Sequence, residues 1–213
     1  MKIKKMMAAV LAAVMTMSAA GSALAAAQSP TEAAVDGFID YNEQDHTGNL
    51  VVSEINQDEA TAIKAEYTGG DGKTVWFKDA RNSKNETVPI TTVGNGKKGL
   101  FNSKKGRKIT RAIFASSKDT VVKKLAFKGS NVKLVAVSGK KKVTFSKNSF
   151  KGTKQKKVTL QFRTKKASSV KLKKGAFNGL TKVTVKGLSK KEYNKFLKAA
   201  KKAGIKTSIF KKG

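Results

Sequence analysis

From about residue 88 onward, apolar and polar residues alternate in short runs, and each run breaks at the same kind of phrase. The phrase reads "TVVKKLAFKGS" (120–130), "KVTFSKNSFKGT" (142–153) and "SVKLKKGAFNGL" (169–180). Its phenylalanines, Phe127, Phe150 and Phe177, stand 23 and 27 residues apart, and Phe101 in "GLFNS" lies 26 residues before Phe127 as a weaker first copy. A period in the twenties marks a stack of coils rather than a single sheet or bundle. Five and seven positions before each Phe stand Val122 and Thr120, Phe145 and Val143, Leu172 and Val170. After each Phe come Val135 and Val137, Val158 and Leu160, Val183 and Val185. Each repeat therefore predicts two short strands of period 2.

Stacking such repeats lets neighbours bury the apolar face that one repeat cannot bury alone. Phe127, Phe150 and Phe177 should then form one internal column, and Val122, Phe145 and Leu172 a second. On the second strand of each repeat, counting from Phe places Ala136, Thr159 and Thr184 in one outward row, flanked by Leu134, Lys157 and Lys182. The Gly two places after Phe (Gly129, Gly152, Gly179) suits a turn with positive φ. Gln155 occupies the place of the apolar Ile109 and Val132, which predicts a looser coil there.

The flanking segments read differently. "LVVSEIN", "TAIKAEYT" and "KTVWFKDA" predict strands, the last two joined by "GGDG" as a hairpin. They are expected to form a small antiparallel extension that covers the open edge of the first coil. "SKKEYNKFLKAAKKAG" (189–204) predicts a helix, with Ser189 and Glu192 as a capping box and Gly204 as its stop. Tyr193, Phe196, Leu197, Ala200 and Ala203 fall on one face, as a C-terminal cap requires. The helix is also basic and amphipathic, which would suit a membrane surface, but its apolar face is modest and ends in Ala. "IKTSIF" (205–210) could return as one more strand.

The phrase V-x-L-x-x-x-A-F-x-G, together with "VPITTVGNG" (88–96) before the first coil, resembles the BspA-type leucine-rich repeats of bacterial surface and secreted proteins. The resemblance spans about residues 88–187, with degenerate repeats and without the usual Asn ladder. It implies a right-handed stack of coils with a parallel sheet along one face, and a binding or adhesion role rather than catalysis. The expected fold class is thus mostly β: a short leucine-rich-repeat solenoid with a small N-terminal antiparallel extension and a C-terminal capping helix. The expected divisions are a signal peptide (1–25), a flexible acidic segment (26–48), the β extension (49–89), the repeats (90–187) and the cap with a final strand (188–213).

Charge adds direction to this picture. The chain has 213 residues and a formal net charge of +31. Residues 28–92 hold 12 acids and 5 basic residues, whereas residues 93–213 hold 37 basic residues and 2 acids, Asp119 and Glu192. Lys dominates the basic half, which contains only Arg107, Arg111 and Arg163. Lysine favours diffuse attraction to a polyanion over bidentate grip on one group. The N-terminus, with "MKIKK", the apolar "MMAAVLAAVMTM" and small residues at Ala23 and Ala25, reads as a secretory signal cut after about Ala25. The expected location is extracellular, either secreted or associated with the bacterial cell wall, with no transmembrane segment after cleavage.

Candidate chemistry is sparse. There is no Cys, and His46 is the only histidine, which removes thiolate sites and most His-based catalytic and zinc constellations. "GGDGKT" fails as a phosphate-binding loop because Tyr67 stands where its first Gly belongs and a strand follows. "DYNEQDHTGN" (40–49) fails as a calcium loop because Asp45 replaces the required Gly and Val51 the bidentate Glu. No catalytic residue, cofactor or metal is expected, and the chain is read as a non-enzyme. A hydrolase would need a carboxylate cluster that the basic half does not offer. The candidate binding residues are the lysines before each Phe, Lys123, Lys124, Lys147, Lys173 and Lys174, and the outward positions Lys157, Thr159, Lys182 and Thr184. The expected partner is an anionic cell-wall polymer, a glycan or a protein ligand. Nucleic acid is an alternative by charge alone, since the aromatics needed for base stacking are committed to the core.

Overall fold

A computed structural model describes residues 37–41, 49–56, 58–69, 72–81 and 86–213. The expected signal peptide, most of the acidic segment with His46, residues 42–48 of the calcium-like loop, and Gly70 and Asp71 of the expected hairpin turn lie outside the described residues.

The strands are β1 (Gly37–Tyr41), β2 (Leu50–Asn56), β3 (Glu59–Glu66), β4 (Thr74–Phe77), β5 (Asp79–Arg81), β6 (Thr87–Val93) and β7 (Arg111–Phe114). They continue with β8 (Thr120–Val122), β9 (Leu134–Val137), β10 (Val143–Phe145), β11 (Lys157–Phe162), β12 (Val170–Leu172), β13 (Lys182–Lys186) and β14 (Phe210–Lys212). Among the described residues there is one α-helix, α1 (Lys190–Lys202). The protein is mostly β.

The strands divide between two sheets. The first runs β1-β2-β3-β6-β8-β10-β12, with β5 also paired to β6; the second runs β14-β13-β11-β9-β7-β4. From β3 to β13, leaving aside β5, the chain alternates between them: β3, β6, β8, β10 and β12 in the first, β4, β7, β9, β11 and β13 in the second. Like strands pair in parallel with the equivalent strand of the next turn of chain. Where the resemblance implies one parallel sheet, two are present, with the core between their inner faces.

Aromatic rings fill that core. Phe127 lies 5.6 Å from Phe101 and 4.4 Å from Phe150, and Phe150 lies 5.4 Å from Phe177, all stacked. This is the expected column, and its members are buried. Phe145 pairs directly with Val122 on one side and Leu172 on the other, which forms the second expected column. The backbone between columns is tied rung to rung. Leu125 N–H donates to Asn148 O (3.0 Å) and Asn148 N–H to Gly175 O (2.9 Å). All three adopt positive φ, of 62°, 61° and 69°.

Three expectations are corrected. The "GGDG" hairpin does not form: β3 and β4 belong to opposite sheets, and β4 runs parallel to β7 (Thr74 opposite Arg111). The end of β3 and the residue after it bond the next turn of chain instead, with Ala65 N–H on Leu100 O and Tyr67 N–H on Lys105 O. Parallel pairing therefore starts with β3, well before residue 90. Among the described residues, antiparallel pairing at the N-terminal end is confined to β1–β2, β2–β3 and β5–β6, and β1 falls within the segment expected to be flexible.

The second correction is one of register. Leu160, not Val158, pairs with Val135, so Thr159 faces Leu134 and Gln161 faces Ala136. The segment between Phe150 and β11 carries two extra residues, so counting from Phe misaligns β11. A shift of two preserves the side-chain faces, and Val158, Leu160, Val135, Val137, Val183 and Val185 are all buried as expected.

The third correction is that Ala136, expected on an exposed row, is 0% exposed.

At the far end α1 takes the place of the next first-sheet strand, and β14 then adds to β13. Phe196 and Ala200 are buried, and Phe196 meets Phe162 at 5.6 Å and Phe210 at 5.0 Å. Ser189 Oγ accepts from Glu192 N–H (3.2 Å), half of the expected capping box. The Glu192 carboxylate does not close the other half. It accepts from Ala167 N–H (2.9 Å) and Lys195 Nζ (2.7 Å) and so fastens the helix to the turn before β12.

Candidate binding surface

The turn that carries each Phe leads from a first-sheet strand to a second-sheet strand. Its local geometry repeats because Gly129 and Gly152 adopt positive φ and Gly129 N–H donates to Gly152 O (2.8 Å). The hydrogen-bonded stack of Leu125, Asn148 and Gly175 sets the residue just before each in one row. Lys124, Lys147 and Lys174 are those residues, and all three are exposed. Their row is the candidate ridge. Lys123 and Lys173 do not form an unbroken second row. Lys123 N–H continues the ladder onto Val93 O, Ser146 N–H onto Val122 O and Lys173 N–H onto Phe145 O, so Ser146 stands between the two lysines. Lys128 and Lys151, one residue past Phe127 and Phe150, are exposed on the same turns and add to the ridge. They were legible in the phrase, since Lys recurs at Phe+1.

The second predicted set lies on the outer face of the second sheet. Lys157 pairs with Lys182, and Thr159 with Thr184, as direct strand neighbours. Leu134, rather than Ala136, extends the threonine row, followed by Arg111 on β7. The adjacent row runs Trp76, Ile113, Ala136, Gln161, Lys186.

Ion pairs between described residues balance few of these charges. Among the described residues, the pairs are Lys64–Glu66 (3.2 Å), Lys118–Glu59 (4.0 Å) and Lys195–Glu192 (2.7 Å). The ridge lysines belong to none of them. Asp119 spends one carboxylate oxygen on the Lys142 backbone N–H (2.8 Å), and Asp79 on Ser116 and Ser117. The hydrogen bonds from Lys195 and from Ala167 N–H hold the Glu192 carboxyl below its ordinary value, and burial raises the Tyr193 phenol. No three His, Cys, Asp or Glu side chains gather among the described residues.

One cluster lies outside every sequence-predicted set. The only tryptophan, Trp76, is half-buried on the outer face of the second sheet. Lys78 Nζ lies 5.3 Å and the Arg163 guanidinium carbon 5.4 Å from its ring centroid. Ile113 and Ala136 share the row of Trp76 on the same outer face and are 3% and 0% exposed. The signal available in the sequence was the lone Trp at an outward position of an alternating run.

Comparison with protein-family models, with curated proteins and with solved structures gives no match for this chain.

Proposed function

We propose that this chain is an exported bacterial binding module, a short leucine-rich-repeat-like solenoid whose lysine ridge holds a linear anionic polymer of the cell surface. The observation that carries the reading is the Lys124–Lys147–Lys174 ladder. Its members stand on adjacent, hydrogen-bonded rungs, exposed and without a carboxylate partner among the described residues. Parallel rungs are about 4.8 Å apart, well inside the Debye length of about 8 to 10 Å at physiological salt. Three like charges at that spacing repel one another, and a polyanion laid along the stack relieves the repulsion while releasing its own counter-ions.

The test is retention on an anionic column and on purified teichoic acid, from low salt to roughly 0.5 M, the range over which counter-ion release weakens such complexes. The wild type should elute late and the K124E/K147E/K174E variant early, with single Lys→Ala variants slightly ahead of wild type. Co-elution of wild type and triple variant overturns the ridge. Stronger retention on single-stranded DNA than on teichoic acid at matched salt turns the assignment to nucleic acid.

A further inference from the structure

The structure assigns a second binding site to the outer face of the second sheet: a subsite for one acidic sugar unit, built by Trp76, Lys78 and Arg163. It does not rest on the lysine ridge, which lies on the Phe-bearing turns.

Two cations converge on one indole. Lys78 follows β4 and Arg163 follows β11, three strands away, yet both heads reach the ring of Trp76, at 5.3 and 5.4 Å. Each contact is attractive, but two positive groups over one ring repel each other. No described carboxylate lies within ion-pair distance of either head. The nearest in sequence, Asp79, turns its oxygen to Ser116 and Ser117.

Small residues stand between the backbone positions of the two cations. The backbone ladder carries Ala115 N–H onto Phe77 O, Ser138 N–H onto Phe114 O and Arg163 N–H onto Val137 O. Lys78, Ala115, Ser138 and Arg163 therefore share one row, with two small residues in the middle. An anionic group fits over Ala115 and Ser138 and draws both cations toward itself, Arg163 able to take it in a bidentate grip.

The aromatic ring makes the ligand more than a bare anion. Its electron-rich face attracts positively polarised groups. When an anion draws the guanidinium off that face, the C–H face of a pyranose can replace it. Hydrogen-bonding side chains line the neighbouring strands: Gln161 stands two strands from Ile113 in the row of Trp76, and Thr159 and Thr184 stand in the adjacent row with Arg111. The ligand class that uses ring, cations and hydrogen-bond donors together is a pyranose bearing a carboxylate, as in a uronic-acid unit of a glycan.

Because Trp76 is the only tryptophan, its fluorescence reports this site alone. The probe is a trimer of galacturonic acid; the comparison ligands are a neutral maltotriose and sodium sulfate at matched ionic strength. The trimer should change Trp76 emission in a saturable way, whereas maltotriose and sulfate should not. Arg163→Gln should weaken the apparent affinity at least tenfold, and K124E/K147E/K174E should leave the response in place even if its retention on wall polymer is lost. Calorimetry on Trp76→Phe, which keeps an aromatic ring beside Ile113, should show weakened binding with little change in thermal midpoint. No change in emission with the trimer, an equal change with sulfate or maltotriose, or an unaltered titration in Arg163→Gln overturns the site.

Discussion

The rings of Phe127 and Phe150 lie parallel, at 0° and 4.4 Å between centroids, although 23 residues separate them. The contact exists because the two turns that carry them are hydrogen-bonded in register: Phe127 N–H donates to Ser149 O (3.0 Å), one residue before its partner ring.

Truncating either ring opens a cavity in the middle of the stack. Phe127→Ala or Phe150→Ala should cost on the order of 3 to 5 kcal/mol in denaturant unfolding. Phe150 also meets Phe145 at 5.8 Å and Phe177 at 5.4 Å, so its loss should be the larger. A cost below about 1 kcal/mol for either would show that the column does not carry the core.

The Glu192 carboxylate makes stability depend on acid. Its folded value lies below the ordinary 4.5, so ionisation favours the folded state. The contribution is fully present above the unfolded value and is lost as pH falls through the folded one. Glu192→Gln should lower the thermal midpoint at pH 7, and the gap to wild type should close as pH drops below 4.5. A gap that persists in acid would place the role of Glu192 in neutral hydrogen bonding alone.

Backbone conformation offers a pair of opposite changes. Gly187 has φ +82°, and a Cβ there would collide with the Phe162 carbonyl. Gly187→Ala should destabilise by more than about 1 kcal/mol. Lys165 holds φ 58° while exposed, so Lys165→Gly should be neutral to stabilising, by up to about 1 kcal/mol. Thermal melts of both variants check the prediction.

Thr159→Trp separates the two faces. Thr159 is half-buried between Leu134 and Thr184 on the outer surface, so a large ring there should leave the thermal midpoint almost unchanged. Retention on wall polymer should stay as in wild type if the ridge binds it, and fall if the polymer lies across the second sheet.

The repeating core was legible because Phe, the residues five before it and the Gly two after it obey local rules that stacking reinforces. The helix announced itself through Ser189 and its apolar stripe. Register was not legible from Phe150 to β11, because two inserted residues preserve alternation while moving every partner; only the backbone hydrogen bonds of Thr159 and Arg163 reveal it. The destination of β4 was equally hidden. A Gly-rich linker looks alike whether it turns back on its own sheet or crosses to the opposite one, and the choice is made by bonds to Leu100 and Lys105. The ridge followed from spacing alone, whereas the Trp76 cluster needs Lys78 and Arg163 to be brought together from positions 85 residues apart.

The stack also works as a ruler. Each added rung lengthens the lysine row by one step of about 4.8 Å and adds one counter-ion exchange. On the proposed reading, grip depends on how many steps a ligand spans, so fragments shorter than the row are released and long chains retained. Duplicating the segment from Phe127 to Phe150 would recalibrate that threshold without redesigning any contact.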